Sequence, residues 1–274
     1  MNLRKALRKM VPPLVETIYH NMKNGLPGFY IWKGVYKDFR SVPVSGNSYF
    51  DQEMAKETAS YTGNLLNGFR NQNRIPYYLN EENILLPMVS AFIMKKEKSL
   101  SVLDLGGGMG IGYISLLGCI ENLAQLRYLV IETPGMCAGG RQLFRDDKRI
   151  QFMSDFPDEL PPIDIVFVNS ALQYFENYFE VLTKLSGYNP EYFLFVKFSA
   201  GNVPTFVSAQ RNLQGTNSAY WFLNIKEIIE KMTSLGYSLE YKSALSRIYD
   251  QDNFPKTYRL GQMCNLLFAR SQGS

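Results

Sequence analysis

From residue 100 onward, the chain alternates short apolar runs with segments whose apolar residues recur at helical spacing. Several of these runs are nearly continuous and rich in β-branched and aromatic residues. Strands that are apolar on both faces belong to parallel sheets that helices cover on both sides. The pattern therefore predicts an α/β fold on a mostly parallel sheet. Its strand candidates are SVLDL, LRYLVIE, RIQFM, IDIVFVN, YFLFVKF, YSLEYKS and MCNLLFAR.

The first part of the chain lacks this alternation. Glycine and proline interrupt its early residues, whereas residues 51–69 and 80–97 have helical spacing. Pro87 falls inside the second of these segments, where we expect it in the first turn or at a kink. We therefore divide the chain into a largely helical N-terminal cap, residues 1–98, and a sheet-forming domain, residues 99–274.

Two long polar connections interrupt the later alternation. They span residues 199–222 and residues 244–262. Connections of this length in a compact domain are usually functional lids or surface insertions. Both follow strand candidates near the end of the sheet, where open α/β folds bind their ligands. A substrate lid and a plain surface insertion therefore both stay open for these segments.

The composition excludes several classes of protein. Hydrophobic residues make up 46% of the chain and charged residues 20%, which is typical of a globular protein and not of a disordered chain or a coiled coil. No apolar run reaches the roughly 18 residues of a membrane-spanning helix. The three cysteines lie far apart, which predicts neither a disulfide framework nor a metal site. We expect a cytoplasmic protein.

The positive charge is concentrated at the start of the chain. The net charge is +4, and residues 11–274 carry 25 charges of each sign. This balance argues against a nucleic-acid substrate. The excess comes from four residues: Arg4, Lys5, Arg8 and Lys9. Since apolar residues alternate with them at helical spacing, residues 1–11 are expected either to dock as a helix or to contact an anionic membrane at its inner face.

The strongest local motif is VLDLGGGMGIG at residues 102–112, which follows one strand candidate and opens a helix. It does not match the dinucleotide fingerprint G-x-G-x-x-G, because Ile111 occupies the sixth position counted from the first glycine. It also lacks the Gly-Lys-Ser/Thr of a phosphate-binding loop. An acid two residues before the glycines, Asp104, suits a cationic ligand. The glycines expected at the ligand are Gly106, Gly107, Gly108 and Gly110.

A second acid stands at the end of the next strand candidate. Glu132 closes LRYLVIE, at a place where a carboxylate can accept hydrogen bonds from both hydroxyls of a ribose. An acid at a strand end is common, but its combination with the glycine loop indicates a nucleoside-containing cofactor.

VLDLGGGMG followed by VIE resembles the cofactor site of class I S-adenosylmethionine-dependent methyltransferases. The resemblance covers about residues 100–270 and implies a Rossmann-like sheet whose last strand is antiparallel, with S-adenosyl-L-methionine as the cofactor. The glycine loop would then hold the amino-acid end of the cofactor, and Glu132 its ribose. The resemblance further implies adenine contacts from Asp155 and Phe156, and a segment facing the sulfur that includes Asn169 and Ser170.

A narrower similarity reaches into the N-terminal region. WKGVY at residues 32–36, ETPG at 132–135 and LQY at 172–174 resemble a family of methyltransferases associated with bacterial surface-polysaccharide synthesis. This similarity implies methylation of a small-molecule or carbohydrate-linked acceptor, with oxygen as the favoured methylated atom.

The residues that would act on the acceptor carry a weaker signal. The single histidine, His20, lies outside the recognisable motifs, so no general base stands out. Gln173 follows the fourth strand candidate and Lys197 lies in the fifth, and we assign both to the acceptor side as catalytic candidates. Tyr113 and Tyr174 are further candidates, each of which packing would explain equally well.

Several methyltransferase subclasses do not fit. The segment Asn169-Ser170-Ala171-Leu172 lacks the prolines typical of amino-group methylation, and no Pro-Cys pair for cytosine methylation occurs. Asn169 stands where metal-dependent catechol enzymes have an aspartate, so no metal is expected. Two alternatives remain: a nucleotide-cofactor oxidoreductase or epimerase, and a catalytically silent binding protein that keeps the fold.

Overall fold

The computed structural model describes residues 30–45, 52–72, 84–97, 99–119, 123–211, 217–248 and 250–271. The proposed docking or membrane segment and His20 lie outside these ranges. Within them, no helix combines the length and the apolar character needed to cross a bilayer.

The described elements alternate along the chain as the sequence predicts. The strands are β1 (Trp32–Tyr36), β2 (Leu100–Leu105), β3 (Leu126–Ile131), β4 (Ile150–Met153), β5 (Ile165–Asn169), β6 (Tyr192–Phe198), β7 (Ala200–Gly201), β8 (Phe206–Arg211), β9 (Asn217–Asn224), β10 (Tyr237–Ile248) and β11 (Gln262–Arg270). The α-helices are α1 (Gln52–Gln72), α2 (Leu85–Glu97), α3 (Ile111–Leu117), α4 (Pro134–Leu143), α5 (Tyr178–Gly187) and α6 (Ile225–Ser234). Pro87 lies in the first turn of α2, as expected.

The main sheet has seven strands in the order β10-β11-β6-β5-β2-β3-β4. Strands β2 to β6 run parallel to one another, and β11 is antiparallel to both of its neighbours, β6 and β10. The predicted fold class, an α/β fold on a mostly parallel sheet with an antiparallel last strand, is confirmed. Parallel strands place all their carboxyl ends on one edge of the sheet, which we call the carboxyl edge.

Apolar side chains cover both faces of this sheet. In β6, Phe193 and Phe195 join one core cluster, whereas Leu194 and Val196 join the other. Helices α5 and α6 pack on the first cluster, and helices α1 to α4 pack on the second. This burial on both sides explains why the strands are continuously apolar in sequence.

The described residues of the range 199–222, which was expected as a polar loop, instead form most of a second sheet with the order β1-β8-β9-β7. The expectation of a loop is wrong because β8 pairs antiparallel with β9 and buries its first four residues. Phe206 is buried against Phe222 in a stacked pair with ring centroids 4.8 Å apart. The second connection is also partly regular, since β10 runs to Ile248 and Phe254 packs edge-on against both rings.

The second sheet joins the two predicted regions of the chain. Strand β1, from the N-terminal region, pairs antiparallel with β8, from the C-terminal region, with Trp32 opposite Gln210. Trp32 is 3% exposed and packs edge-on against Phe222. The division into two domains at residue 99 stays a prediction, but the regions on either side of it share this sheet.

Candidate cofactor site

The glycine loop connects β2 to α3 at the carboxyl edge. Gly106, Gly108 and Gly110 have φ values of +69°, +57° and +89°, a region that residues with a side chain rarely adopt. The Gly106 amide donates to the Ile131 carbonyl at 2.9 Å, which fastens the loop to the end of β3. A Cβ at Gly106 would overlap the Cβ of Ala171, so the loop also lies against the segment that follows β5.

Asp104 lies beneath this loop and not in front of it. The residue is 1% exposed, and its Oδ2 accepts a 2.6 Å hydrogen bond from the Tyr128 hydroxyl. Cβ atoms at Gly107 and Gly112 would overlap the Asp104 carboxylate and the Tyr128 hydroxyl, respectively. Burial, helped by the nearby charge of Glu132, raises the pKa of Asp104 to about 7. The geometry therefore makes Asp104 a support for the loop.

Glu132 directly follows β3 at the same edge. Its carboxylate accepts a hydrogen bond from the Thr133 amide at 2.6 Å. Burial raises the pKa of Glu132, and the backbone amides of Thr133 and Gly108, the latter in the glycine loop, partly oppose the rise. The Glu132 amide donates to the Met153 carbonyl at the end of β4. The two features that the sequence combined are therefore neighbours in space.

The predicted adenine residues follow β4. Asp155 is exposed and accepts a hydrogen bond from the Ser154 hydroxyl at 3.0 Å. Phe156 is half-buried against the first core cluster, and the Lys184 ammonium lies 5.7 Å from its ring centroid. The structure places both at the carboxyl edge, one strand beyond Glu132. Their contact with adenine stays a prediction.

Asn169 and Ser170 end β5 beside the glycine loop. Asn169 Oδ1 is buried and has no hydrogen-bond partner within the described ranges. Ser170 has a φ of +54°, and its amide donates to the Val196 carbonyl at 2.9 Å. A non-glycine residue in this conformation stores strain of about 1–3 kcal/mol, and such strain gathers at functional sites.

The two catalytic candidates are in contact with each other. Gln173 is fully buried, and its Nε2 donates to the Lys197 carbonyl at 3.1 Å. Lys197 has a φ of +50° and lies at the end of β6, next to the strand that carries Asn169. Gln173 thus holds the backbone of Lys197, while its own Oε1 is buried without a partner among the described residues. Their role toward an acceptor stays a prediction.

Of the two further tyrosine candidates, Tyr113 points away from this edge. Its hydroxyl donates to Asp147 at 2.6 Å, and Asp147 and Arg149 precede β4 at the opposite, amino edge. Tyr174 donates to Gln210 at 2.7 Å and packs edge-on against Tyr220, which fastens the second sheet to the segment after β5. Tyr113 is therefore structural, and Tyr174 joins the two sheets.

Sequence reasoning missed Tyr128 and Asn265. Asn265 is 3% exposed in β11, and its Oδ1 accepts the Lys197 amide at 3.1 Å. A lone asparagine inside the apolar run MCNLLFAR was the available signal, since a buried amide needs partners. In the described part of the chain, no three His, Cys, Asp or Glu side chains lie together as a metal site would require.

Comparison with known proteins adds solved structures of similar fold. The Burkholderia thailandensis 1,6-didemethyltoxoflavin-N1-methyltransferase, solved with S-adenosylhomocysteine, is 15% identical with a TM-score of 0.48 over 85% of this chain and 93% of its own. The Synechocystis PCC 6803 magnesium protoporphyrin IX methyltransferase is 15% identical, with a TM-score of 0.46 over 69% and 83% of the chains. An S-adenosylmethionine-dependent methyltransferase from Clostridium acetobutylicum is 11% identical, with a TM-score of 0.46 over 76% and 99%.

The chain matches none of the protein-family models and none of the curated proteins compared with it. A shared fold does not fix function, which depends on the residues of the site.

Proposed function

We propose that the protein is an S-adenosylmethionine-dependent methyltransferase acting on a small-molecule or carbohydrate-linked acceptor, with oxygen as the favoured methylated atom. One observation carries the proposal. The glycine loop, with three left-handed glycines, and Glu132 lie together at the carboxyl edge, where the Gly106 amide donates to the carbonyl of Ile131, the residue before Glu132. Ligands of open α/β sheets bind outside this edge.

The residues fit the cofactor at both ends. The side-chain-free loop allows a ligand to approach the backbone closely, and Glu132 offers a carboxylate for the two ribose hydroxyls. The Asn169 Oδ1, buried without a partner among the described residues, offers a further acceptor beside the loop. When bound, the cofactor supplies an activated methyl group on a sulfonium.

The chain's own residues then have two tasks. They must exclude a dinucleotide, and this loop lacks the third glycine of the dinucleotide fingerprint, which allows close packing of the helix against the strand. They must also align the acceptor oxygen with the methyl group, because holding two reactants in line lowers the barrier to a displacement. Ser170 and Lys197 end or follow neighbouring strands at this edge, which supports assigning them to alignment, and Gln173 holds the Lys197 backbone.

Titration calorimetry tests the cofactor. We expect S-adenosylmethionine and S-adenosylhomocysteine to bind with one site each, and NAD to give no heat under the same conditions. Binding of NAD alone would identify an oxidoreductase or epimerase and overturn the proposal.

A radiolabelled methyl-transfer screen over cell extracts, nucleotide sugars and polysaccharide fragments tests turnover. We expect label to enter a low-molecular-weight or glycan fraction. Cofactor binding without label transfer in any fraction would favour the catalytically silent binding protein.

A further inference from the structure

The bulge in β6 is the feature on which this inference rests. Opposite β11, Cys264 pairs with Phe198 and Leu266 pairs with Phe195, so the single residue Asn265 faces two residues of β6. The extra residue is Lys197, with its left-handed φ of +50°. A bulge of this kind redirects a side chain and is frequent next to active sites.

The bulge removes Lys197 from the alternation of the strand. Phe193 and Phe195 belong to the first core cluster, and a regular strand would place residue 197 in that cluster next. Phe198 occupies the place instead and stacks on Phe195 with centroids 5.1 Å apart. Lys197 is consequently only half-buried, at the carboxyl edge, whereas Phe195 and Phe198 beside it are buried.

Two buried amides hold this conformation from both sides of the residue. Asn265 Oδ1 accepts the Lys197 amide, and Gln173 Nε2 donates to the Lys197 carbonyl, both at 3.1 Å. Asn265 is itself fixed, since its Nδ2 donates to the Ser243 hydroxyl at 3.1 Å. A buried side-chain amide costs free energy unless it is hydrogen-bonded. Here both amides hydrogen-bond to the backbone of one strained residue, Lys197.

The clamped residue adjoins the proposed site of methyl transfer. Asn169 pairs with Val196, so Ser170 and Lys197 are the next residues on two neighbouring parallel strands. Both have left-handed φ values, and the Ser170 amide donates to the Val196 carbonyl. Ala171, one residue further, contacts the glycine loop at Gly106. Gln173 and Asn265, which we call the clamp because they bind the Lys197 backbone from both sides, therefore border the same short stretch of the carboxyl edge as the glycine loop.

We propose that Gln173 and Asn265 are positioning residues that hold the Lys197 backbone at the acceptor side of the site, from which its ammonium reaches an acceptor oxygen and stabilises negative charge there. The inference rests on the proposed function. In the transfer, a C–O bond forms as the methyl C–S bond breaks, the electron pair of that bond stays on sulfur, and the acceptor's proton passes to water. Charge develops on the oxygen as its proton leaves, and a fixed cation there lowers the barrier.

This role selects a class of acceptor. A fixed ammonium favours hydroxyls that ionise, carboxylates, or acceptors carrying an acidic group beside the hydroxyl. It gives no advantage to an amine, which must be uncharged to accept a methyl group.

The test follows Lys197 directly and needs no acceptor. Lysines are reductively methylated with ¹³C-formaldehyde, and Lys197→Arg assigns the Lys197 resonance. We expect S-adenosylhomocysteine to shift this resonance and to leave that of Lys226, exposed in α6, unchanged. In Asn265→Leu and Gln173→Met, the ligand-free Lys197 resonance should move toward that of Lys226, and the ligand-induced shift should shrink while calorimetric affinity is retained.

Phe268→Leu is the matched control, since it trims a buried residue of the same strand that makes no hydrogen bond to Lys197. It should lower the unfolding midpoint and leave the Lys197 resonance in place. An unmoved resonance in both amide variants, or an equal shift in Phe268→Leu, would overturn the clamp. Absence of S-adenosylhomocysteine binding by the unmutated protein would instead refute the proposed function, and the ligand-free spectra would still decide the clamp.

Discussion

The Tyr128 hydroxyl donates to Asp104 Oδ2 at 2.6 Å, directly beneath the glycine loop. Asp104 Oδ1 has no partner among the described residues, and Gly107 and Gly112 leave just enough room for the pair. A titratable group thus lies under the proposed cofactor site without touching its open side. The loop's stability and the protonation state of this carboxyl are therefore coupled.

Asp104 makes stability fall as the pH rises. Its pKa is about 7 in the folded protein against 3.8 for an ordinary aspartate, so the folded state retains its proton where the unfolded state has released it. The contribution of this pKa difference to the free energy of unfolding is fully present below about pH 4. It is lost progressively between about pH 4 and pH 7, and it amounts to on the order of 2–4 kcal/mol. Asp104→Asn should flatten this fall in urea unfolding between those pH values, leaving only what other carboxyls contribute. An equally steep fall in the variant would contradict the assignment.

Tyr128→Phe removes the one donor that lowers the Asp104 pKa. The folded-state pKa should rise further, so the loss of stability should extend above pH 7. Near neutral pH, we expect a cost of about 1.5–3 kcal/mol, the usual contribution of a hydrogen bond to a charged group. Urea unfolding at several pH values measures both effects. A pH profile superimposable on that of the unmutated protein would show that the hydrogen bond does not control Asp104.

Gly108→Ala tests whether a methyl group at this position excludes the cofactor, apart from the backbone strain that the substitution causes. The nearest atom to an added Cβ is Thr58 Cγ2 at 4.0 Å, so no clash adds to the left-handed strain of about 1–2 kcal/mol. Affinity for S-adenosylhomocysteine should nevertheless fall by about tenfold or more, since the methyl group occupies the open side of the loop.

Gly68→Ala in α1 is the matched control for this glycine. It meets nothing within 4 Å, has no positive φ, and should stabilise the protein by about 0.5–1 kcal/mol with affinity unchanged. Normal calorimetric affinity in Gly108→Ala would place the cofactor elsewhere.

Glu132→Gln should weaken cofactor binding without unfolding the protein. The amide keeps the shape but loses the charge that strengthens two hydrogen bonds to ribose hydroxyls, so affinity should drop about ten- to a hundredfold. Removing a buried carboxyl with a raised pKa should not lower stability at neutral pH. Glu180→Gln, exposed in the first turn of α5, should bind normally. Calorimetry on the three proteins gives the answer, and equal affinities would remove Glu132 from the site.

The sequence predicted those elements whose pattern lies within one short stretch of the chain. The strand over Tyr192–Phe198 was predicted to the residue, because burial on both faces leaves a continuous apolar run. The glycine loop and Glu132 were found together because each directly follows a strand. The second sheet was missed because β1 and β8 are far apart in sequence and their polar positions resemble loop residues.

The acceptor side shows the same limit. Gln173 and Lys197 were selected separately, and no local pattern indicates that one holds the other across 24 residues. The partner of the Lys197 amide, Asn265, is 68 residues away. A bulge depends on the register between two strands, and register is a property of the pair. Contacts of this kind emerge only once the sheet is assembled.

The position of β11 has a consequence for how the protein is made. It lies between β6 and β10 in the sheet, although it follows both along the chain. During synthesis, β6 must therefore wait with an open hydrogen-bonding edge until residues 262–270 leave the ribosome. The same event delivers Asn265, so the Lys197 bulge forms later than the glycine loop. A nascent chain would thus acquire its glycine loop early and its acceptor side late, with an exposed apolar strand in the interval that a chaperone is suited to cover.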